Sequence, residues 1–210
     1  MIIAIDGTLA SGKGTIARRL SDLFALPHMD TGRLYRATGV AAMNAGADLT
    51  DAKAIAEIAS KLEPSLFTEA ELRTAEAGLA ASKVAVLPEV RAALLELQRN
   101  FAHQPTGAIL DGRDIGTVVC PEADVKLWVD ADVEVRAKRR HAELKAAGDT
   151  ITLDELTAQL RERDERDRNR KDAPMVAAAD AILIDTTDLT IDAAVDKARA
   201  AVEMAKSRTG

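Results

Sequence analysis

The sequence predicts an α/β fold, a five-stranded parallel sheet flanked by helices. Three observations predict it. Five short apolar runs, at 2–6, 26–30, 107–111, 125–130 and 181–185, have the length and composition of buried strands. Longer helical patterns separate them, the alternation that builds parallel sheets, because a parallel neighbour is reached only through a crossover. The last three runs each end at an aspartate, Asp111, Asp130 and Asp185. Ligands of α/β proteins bind at the carboxyl ends of such strands.

The elements follow in order. The run 2–6 is a strand, and 13–24 is the helix after it. A short second strand covers 26–30. From 33 to 103 the pattern is helical and no strand interrupts it, which is long for one crossover and predicts a small helical lobe. Pro88 breaks that stretch, and 89–101 is a fresh helix. A helix over 132–147 has Asp132 as its cap and Gly148 as its stop. Thr152 with Glu155 forms a capping box for a helix reaching Arg170. The last helix spans 190–206.

Composition narrows the function. Of 210 residues, 47% are apolar, enough for one domain with a sizeable core, but the aromatics are one Trp, one Tyr and three Phe. The core is therefore aliphatic, and the stacking platforms of a single-strand nucleic-acid binder are lacking. A formal net charge of −6 also argues against a nucleic-acid partner. The single cysteine, Cys120, permits no intrachain disulfide and suits a reducing compartment. The first residues lack a basic leader, and no apolar run reaches the ~20 residues of a membrane helix. A cytoplasmic protein without membrane contact is expected. No long apolar stripe argues for a dimer, so a monomer is expected. His28, His103 and His141 have no metal-ligand spacing, and Trp128 reads as a core residue of its strand.

Gly7-Thr8-Leu9-Ala10-Ser11-Gly12-Lys13-Gly14-Thr15 follows a strand and opens a helix, the context a P-loop requires. Glycines let the backbone wrap close to phosphate. Successive N–H groups and the helix N-terminus supply partial positive charge, and Lys13 reaches the outer phosphates of a nucleoside triphosphate. The sheet is thus that of a P-loop NTPase-type three-layer fold. Gly14 stands where a metal-holding Ser or Thr commonly follows the lysine, and Thr15 comes next. A GTPase would need an Asn-Lys-x-Asp guanine reader. Asn169-Arg170-Lys171-Asp172 has the wrong second residue.

Two further strings follow strands. In Asp30-Thr31-Gly32-Arg33-Leu34-Tyr35-Arg36 a hydroxyl, a phenol and an arginine at a helix start suit an anion, although helix capping with a surface arginine explains the string equally well. In Leu110-Asp111-Gly112-Arg113-Asp114-Ile115-Gly116-Thr117, Asp111 ends its strand like a Walker B aspartate and could hold Mg²⁺ through water. Arg113 can fork onto phosphate, and Asp114 can accept from the amino group of a base. A tight glycine turn with solvated charges is the plain alternative. Arg163, Arg166, Asp167 and Arg170 share one helical face, with Asp164 and Asp167 placed to hold the arginines. Taken alone, that face and Arg136, Arg139 and Arg140 before it read as solvated charge laced with ion pairs.

Five strings in this order resemble the bacterial-type cytidylate kinases, within the nucleoside monophosphate kinases, over nearly the whole chain. They are Gly12-Lys13-Gly14-Thr15, Asp30-Thr31-Gly32 with Tyr35-Arg36, Ala81-Ser82-Lys83-Val84-Ala85 with Pro88 and Arg91, the 111–117 string, and Arg163-Asp164-Glu165-Arg166-Asp167-Arg168-Asn169-Arg170. Gly14 after the lysine is normal for this group. The resemblance implies transfer of the γ-phosphoryl group of ATP to CMP or dCMP. It implies catalytic roles for Lys13, Arg113 and Arg163, and a Mg²⁺ site at Thr15 and Asp111. It implies that Thr31, Arg36, Arg113 and Arg163 hold the monophosphate beside Tyr35. Ser82 and Asp114 would read the cytosine, and Arg91, Asp167 and Arg170 would lie near the pentose. It divides the single domain into a core at approximately 1–32, 104–135 and 171–210, a monophosphate-binding lobe at 33–103 and a lid region at 136–170.

One departure stands out. Many members carry an extra β-ribbon in the monophosphate lobe, but here the stretch 62–72, with Pro64, Phe67 and several glutamates, lacks strand alternation. A shortened, mostly helical lobe is expected. The other readings left open are a uridylate, adenylate or shikimate kinase, and a nucleotide-binding protein without turnover.

Overall fold

A computed structural model describes residues 1–209. Five strands form one sheet: β1 (Ile2–Gly7), β2 (His28–Asp30), β3 (Ala108–Gly112), β4 (Val125–Asp130) and β5 (Ile182–Asp185), in the order β2-β3-β1-β4-β5. β1 pairs in parallel with β3 and β4, and β4 with β5. The strands form where expected, with ends that move by one or two residues. Hydrogen bonding decides those ends, and apolar composition does not report it.

The described residues divide into two compact units, residues 1–29 with 101–209, and residues 30–100. In the first, β1 is buried from Ile3 onward, as a central parallel strand must be. α1 (Lys13–Phe24) and α9 (Ile191–Thr209) pack on the sheet through Ile16, Ala17, Leu20, Ala198 and Val202 against Ile3, Ile5, Leu127, Val129 and Ile184. β4 alternates: Val125, Leu127 and Val129 are buried, while Lys126, Trp128 and Asp130 are half-buried. The core reading of Trp128 is thus corrected, because the pleat turns it to the other face. α7 (Val133–Ala146) and α8 (Leu153–Asn169) complete the unit. Asp132 caps α7 by accepting from Glu134 N, and Thr152 with Glu155 closes the expected capping box on α8.

The second unit holds α2 (Thr31–Asn44), α3 (Ala52–Ser60), α4 (Glu69–Leu72), α5 (Ala75–Val84) and most of α6 (Pro88–Ala102). The stretch 62–72 holds a 3₁₀ turn (Pro64–Leu66) and α4, so it is helical as expected. Ala37, Val40, Leu72 and Ala77 form the core of this unit. Gly39 lets α2 and α5 approach closely, since a Cβ there would stand 2.8 Å from the Cβ of Ala80. Among the described residues, no helix is long and apolar enough to cross a membrane.

Candidate active site

The loop after β1 starts at a position only glycine can fill. Gly7 has φ +147°, and a Cβ on it would stand 1.8 Å from the Val129 carbonyl oxygen across the β1–β4 pair. Gly12, at φ +94°, then turns the chain into α1. Three carbonyls of the loop are engaged by side chains. Ser11 Oγ and Lys13 Nζ donate to Thr8 O, at 3.0 and 3.3 Å. Arg136 donates to Leu9 O at 3.3 Å, and Thr186 Oγ1 to Ser11 O at 2.8 Å. Thr8 Oγ1 donates to Asp130 Oδ1 at 2.5 Å. A loop held at this many points is pre-organised. Lys13 is buried at the first position of α1.

Asp111, the penultimate residue of β3, lies beside that helix start. Its Oδ1 is 2.7 Å from His28 Nε2, and its Oδ2 stands 3.9 Å from where a Cβ on Gly14 would be. Thr15 is the next residue of the same turn. A carboxylate and a hydroxyl are hard oxygen donors, and Mg²⁺ sites that include substrate phosphates commonly take only one or two protein oxygens. The residues present therefore fit Mg²⁺.

The chain then forms a turn that sequence reading did not anticipate. Ile115–Val119 is one π-helical turn, with Val119 N donating to Asp114 O at 3.2 Å and Cys120 N to Ile115 O at 2.7 Å. Such wide turns recur at functional sites. Just before it, Arg113 donates from Nε to Asp167 Oδ2 at 3.4 Å, and Arg163 Nε lies 3.9 Å from the same oxygen. Arg170 donates to Asp114 Oδ1 at 3.3 Å, and both side chains are over nine-tenths buried. Five predicted site residues, Arg113, Asp114, Arg163, Asp167 and Arg170, thus form one charged cluster. Arg166 instead pairs with exposed Glu162 on its own helix. Asp164 does not hold the arginines of its own face as expected. It is buried and receives Arg136 from α7 at 2.6 Å. Of the other two α7 arginines named from the sequence, Arg139 donates to Thr186 and Arg140 pairs with Glu143.

The second unit brings together its own set. Asp30 caps α2 by accepting from Arg33 N at 3.1 Å, and its other oxygen accepts from Arg36 at 2.6 Å. Arg36 Nε is buried without a hydrogen-bond partner among the described residues. A buried donor in that state is costly, and an anion would satisfy it. Thr31 is buried at the start of α2. The Arg91 guanidinium lies 5.8 Å from the centre of the Tyr35 ring, a cation–π contact. Ser82 is buried on α5.

Sequence reading missed Asp6 and Thr186, and it named Asp130 and Arg136 without placing either at the loop after β1. Asp130 and Asp6 each end an apolar run, which was the available signal. Nothing marked Thr186, and nothing marked Arg136 as buried, because their contacts depend on main-chain carbonyls brought in by the fold.

A glycine-containing loop after the central strand, a carboxylate on the neighbouring strand and a cluster of arginines are the arrangement of a P-loop phosphotransferase. A family model described as cytidylate kinase matches residues 3–204. A cytidylate kinase of Caulobacter sp. (strain K31) is 53% identical, covering 100% of this chain and 97% of its own. A cytidylate kinase of Rhodospirillum rubrum is 54% identical, with 94% and 95% covered. A solved structure of an uncharacterized protein from Eubacterium ventriosum shares the fold at TM-score 0.54 and 14% identity, with 97% and 98% covered. The chain belongs to the cytidylate kinase family.

Proposed function

We propose that this chain transfers the γ-phosphoryl group of ATP to CMP, and to dCMP, yielding ADP with CDP or dCDP. Family membership supports the reaction class. The observation that carries the choice of acceptor is the 111–117 turn, where the Asp114 carboxylate lies beside Arg170 and next in sequence to Arg113. Cytosine presents an amino donor to such an acceptor. Uracil presents a carbonyl, which would meet Asp114 without a proton to share.

The loop Gly7–Thr15 and Lys13 hold the donor phosphates. Thr31, Tyr35, Arg36, Arg113 and Arg163 hold the acceptor phosphate. Ser82 and Asp114 read the base, and Arg91, Asp167 and Arg170 position the pentose. Asp111 and Thr15 would hold Mg²⁺, which when bound supplies further neutralisation of the phosphate charges. The acceptor oxygen is already anionic at neutral pH, so no protein base is required. Lys13, Arg113 and Arg163 line up the two phosphates for in-line transfer and offset the charge that spreads over the moving phosphoryl group. Closure of the monophosphate lobe (33–103) and the lid region (136–170) over the substrates excludes water, which limits hydrolysis of ATP. The enzyme works as a monomer in the cytoplasm, and its one buried thiol, Cys120, suits a reducing compartment.

Asp114→Ala tests the base reading. Losing one buried hydrogen bond of about 1–3 kcal/mol lowers the ratio of kcat/KM for CMP over UMP by roughly tenfold or more. An unchanged ratio in an ADP-release assay would contradict the role of Asp114.

A further inference from the structure

The turn that carries Arg113 and Asp114 is short, and it opens the π-helical turn Ile115–Val119. The first N–H groups of any helical turn lack a partner within it. Here Asp6 supplies both. Its Oδ1 accepts from Ile115 N and its Oδ2 from Gly116 N, each at 2.8 Å. Asp6 is the β1 residue just before Gly7, and it is 5% exposed. The fit is close, since a Cβ on Gly116 would stand 3.5 Å from Asp6 Oδ2 and 3.2 Å from the Lys126 side chain. Burying a carboxylate is costly, and burial pushes the Asp6 carboxyl up to about 7 in spite of its two N–H donors. The carboxylate is suited to this place because it offers two acceptor oxygens to two adjacent N–H groups.

We infer that Asp6 is a positioning residue for the acceptor: by bridging the N–H groups of Ile115 and Gly116 it fixes Arg113 and Asp114, and so sets CMP binding and the preference for cytosine. This rests on the reading that Arg113 holds the monophosphate and Asp114 the base. Asp6 itself touches neither substrate. Its two bonds join β1 directly to the π-helical turn. They tie the acceptor turn to the strand that carries the donor loop.

Asp6→Asn keeps the shape but leaves one acceptor, and its amide NH₂ then faces an N–H donor. The change is isosteric, so the variant is expected to fold, which thermal unfolding and ATP titration check. The expected result is a KM for CMP raised about tenfold, a CMP-over-UMP ratio lowered by a similar factor, and a KM for ATP within about twofold of the parent. Two results overturn the inference. One is a rise in KM for ATP alongside that for CMP, which would make Asp6 a support of the neighbouring loop. The other is an unchanged CMP KM and base ratio with only a changed melting temperature. Asp114→Ala, measured in parallel, separates the causes. If it lowers the base ratio and Asp6→Asn does not, the inference fails and the base reading stands. If neither does, the base reading fails and the inference falls with it.

Discussion

Two carboxylates illustrate what single residues contribute. Asp111 stands at the end of its strand beside a helix start, and that place was legible from an apolar run ending in Asp before a glycine. Asp6 ends its run in the same way, but its role depends on two N–H groups more than a hundred positions away, which no spacing reveals. Its environment also has a consequence for pH. The carboxyl sits at about 7 in the fold against 3.8 as its ordinary value, with burial the main cause. Between those values the folded state binds more protons than the unfolded one. Stability from this group is therefore complete below pH 4 and is lost as pH rises through 7, by an order of a few kcal/mol. The charges facing it are Asp114, which adds to the rise, and Arg113, which opposes it. Asp48, Asp132, Asp180 and Asp185 are held below their ordinary range by hydrogen bonds. Their contribution is lost as pH falls below about 4, in a separate window. Urea unfolding of the parent and Asp6→Asn from pH 5 to 8 should show the parent losing stability relative to the variant as pH rises. Parallel curves would contradict this account of Asp6.

Among elements, α7 and α8 show both the reach and the limit of sequence reading. Their caps were legible, since Asp132, Thr152 and Glu155 act through neighbours two or three residues away. Their charged faces were not, because a solvated arginine and a buried one look alike in sequence. Arg136 is buried, pairs with Asp164 on α8, and donates to Leu9 O of the loop after β1. The two helices are thus joined to each other and to the loop through one guanidinium. Removing one partner leaves the other buried and unpaired, so Arg136→Leu should cost about 3–5 kcal/mol of stability. The double change Arg136→Leu with Asp164→Leu should recover most of that loss in thermal unfolding. A single change costing under about 1 kcal/mol would mean the pair is not buried as described. The π-helical turn escaped the sequence for a related reason, since its wider hydrogen bonds carry no compositional mark.

For the whole molecule, order along the chain carried more than any single motif. The Lys13-Gly14-Thr15 ending departs from the common phosphate loop, and only its company, Asp30–Arg36, Ser82 with Arg91, the 111–117 turn and Arg163–Arg170, turned it into a mark of one kinase group. The five-stranded sheet and membership of the cytidylate kinase family agree with that reading. The absence of strand alternation at 62–72 likewise corresponds to a helical stretch. The proposed acceptor is a cytidine monophosphate. The most direct test is ADP release by the purified protein with ATP, Mg²⁺ and a panel of CMP, dCMP, UMP, AMP and shikimate. The highest kcat/KM is expected with CMP, with turnover of dCMP and with UMP at least roughly tenfold below CMP. AMP, UMP or shikimate outrunning CMP, or binding of ATP and CMP without release of ADP, would contradict it.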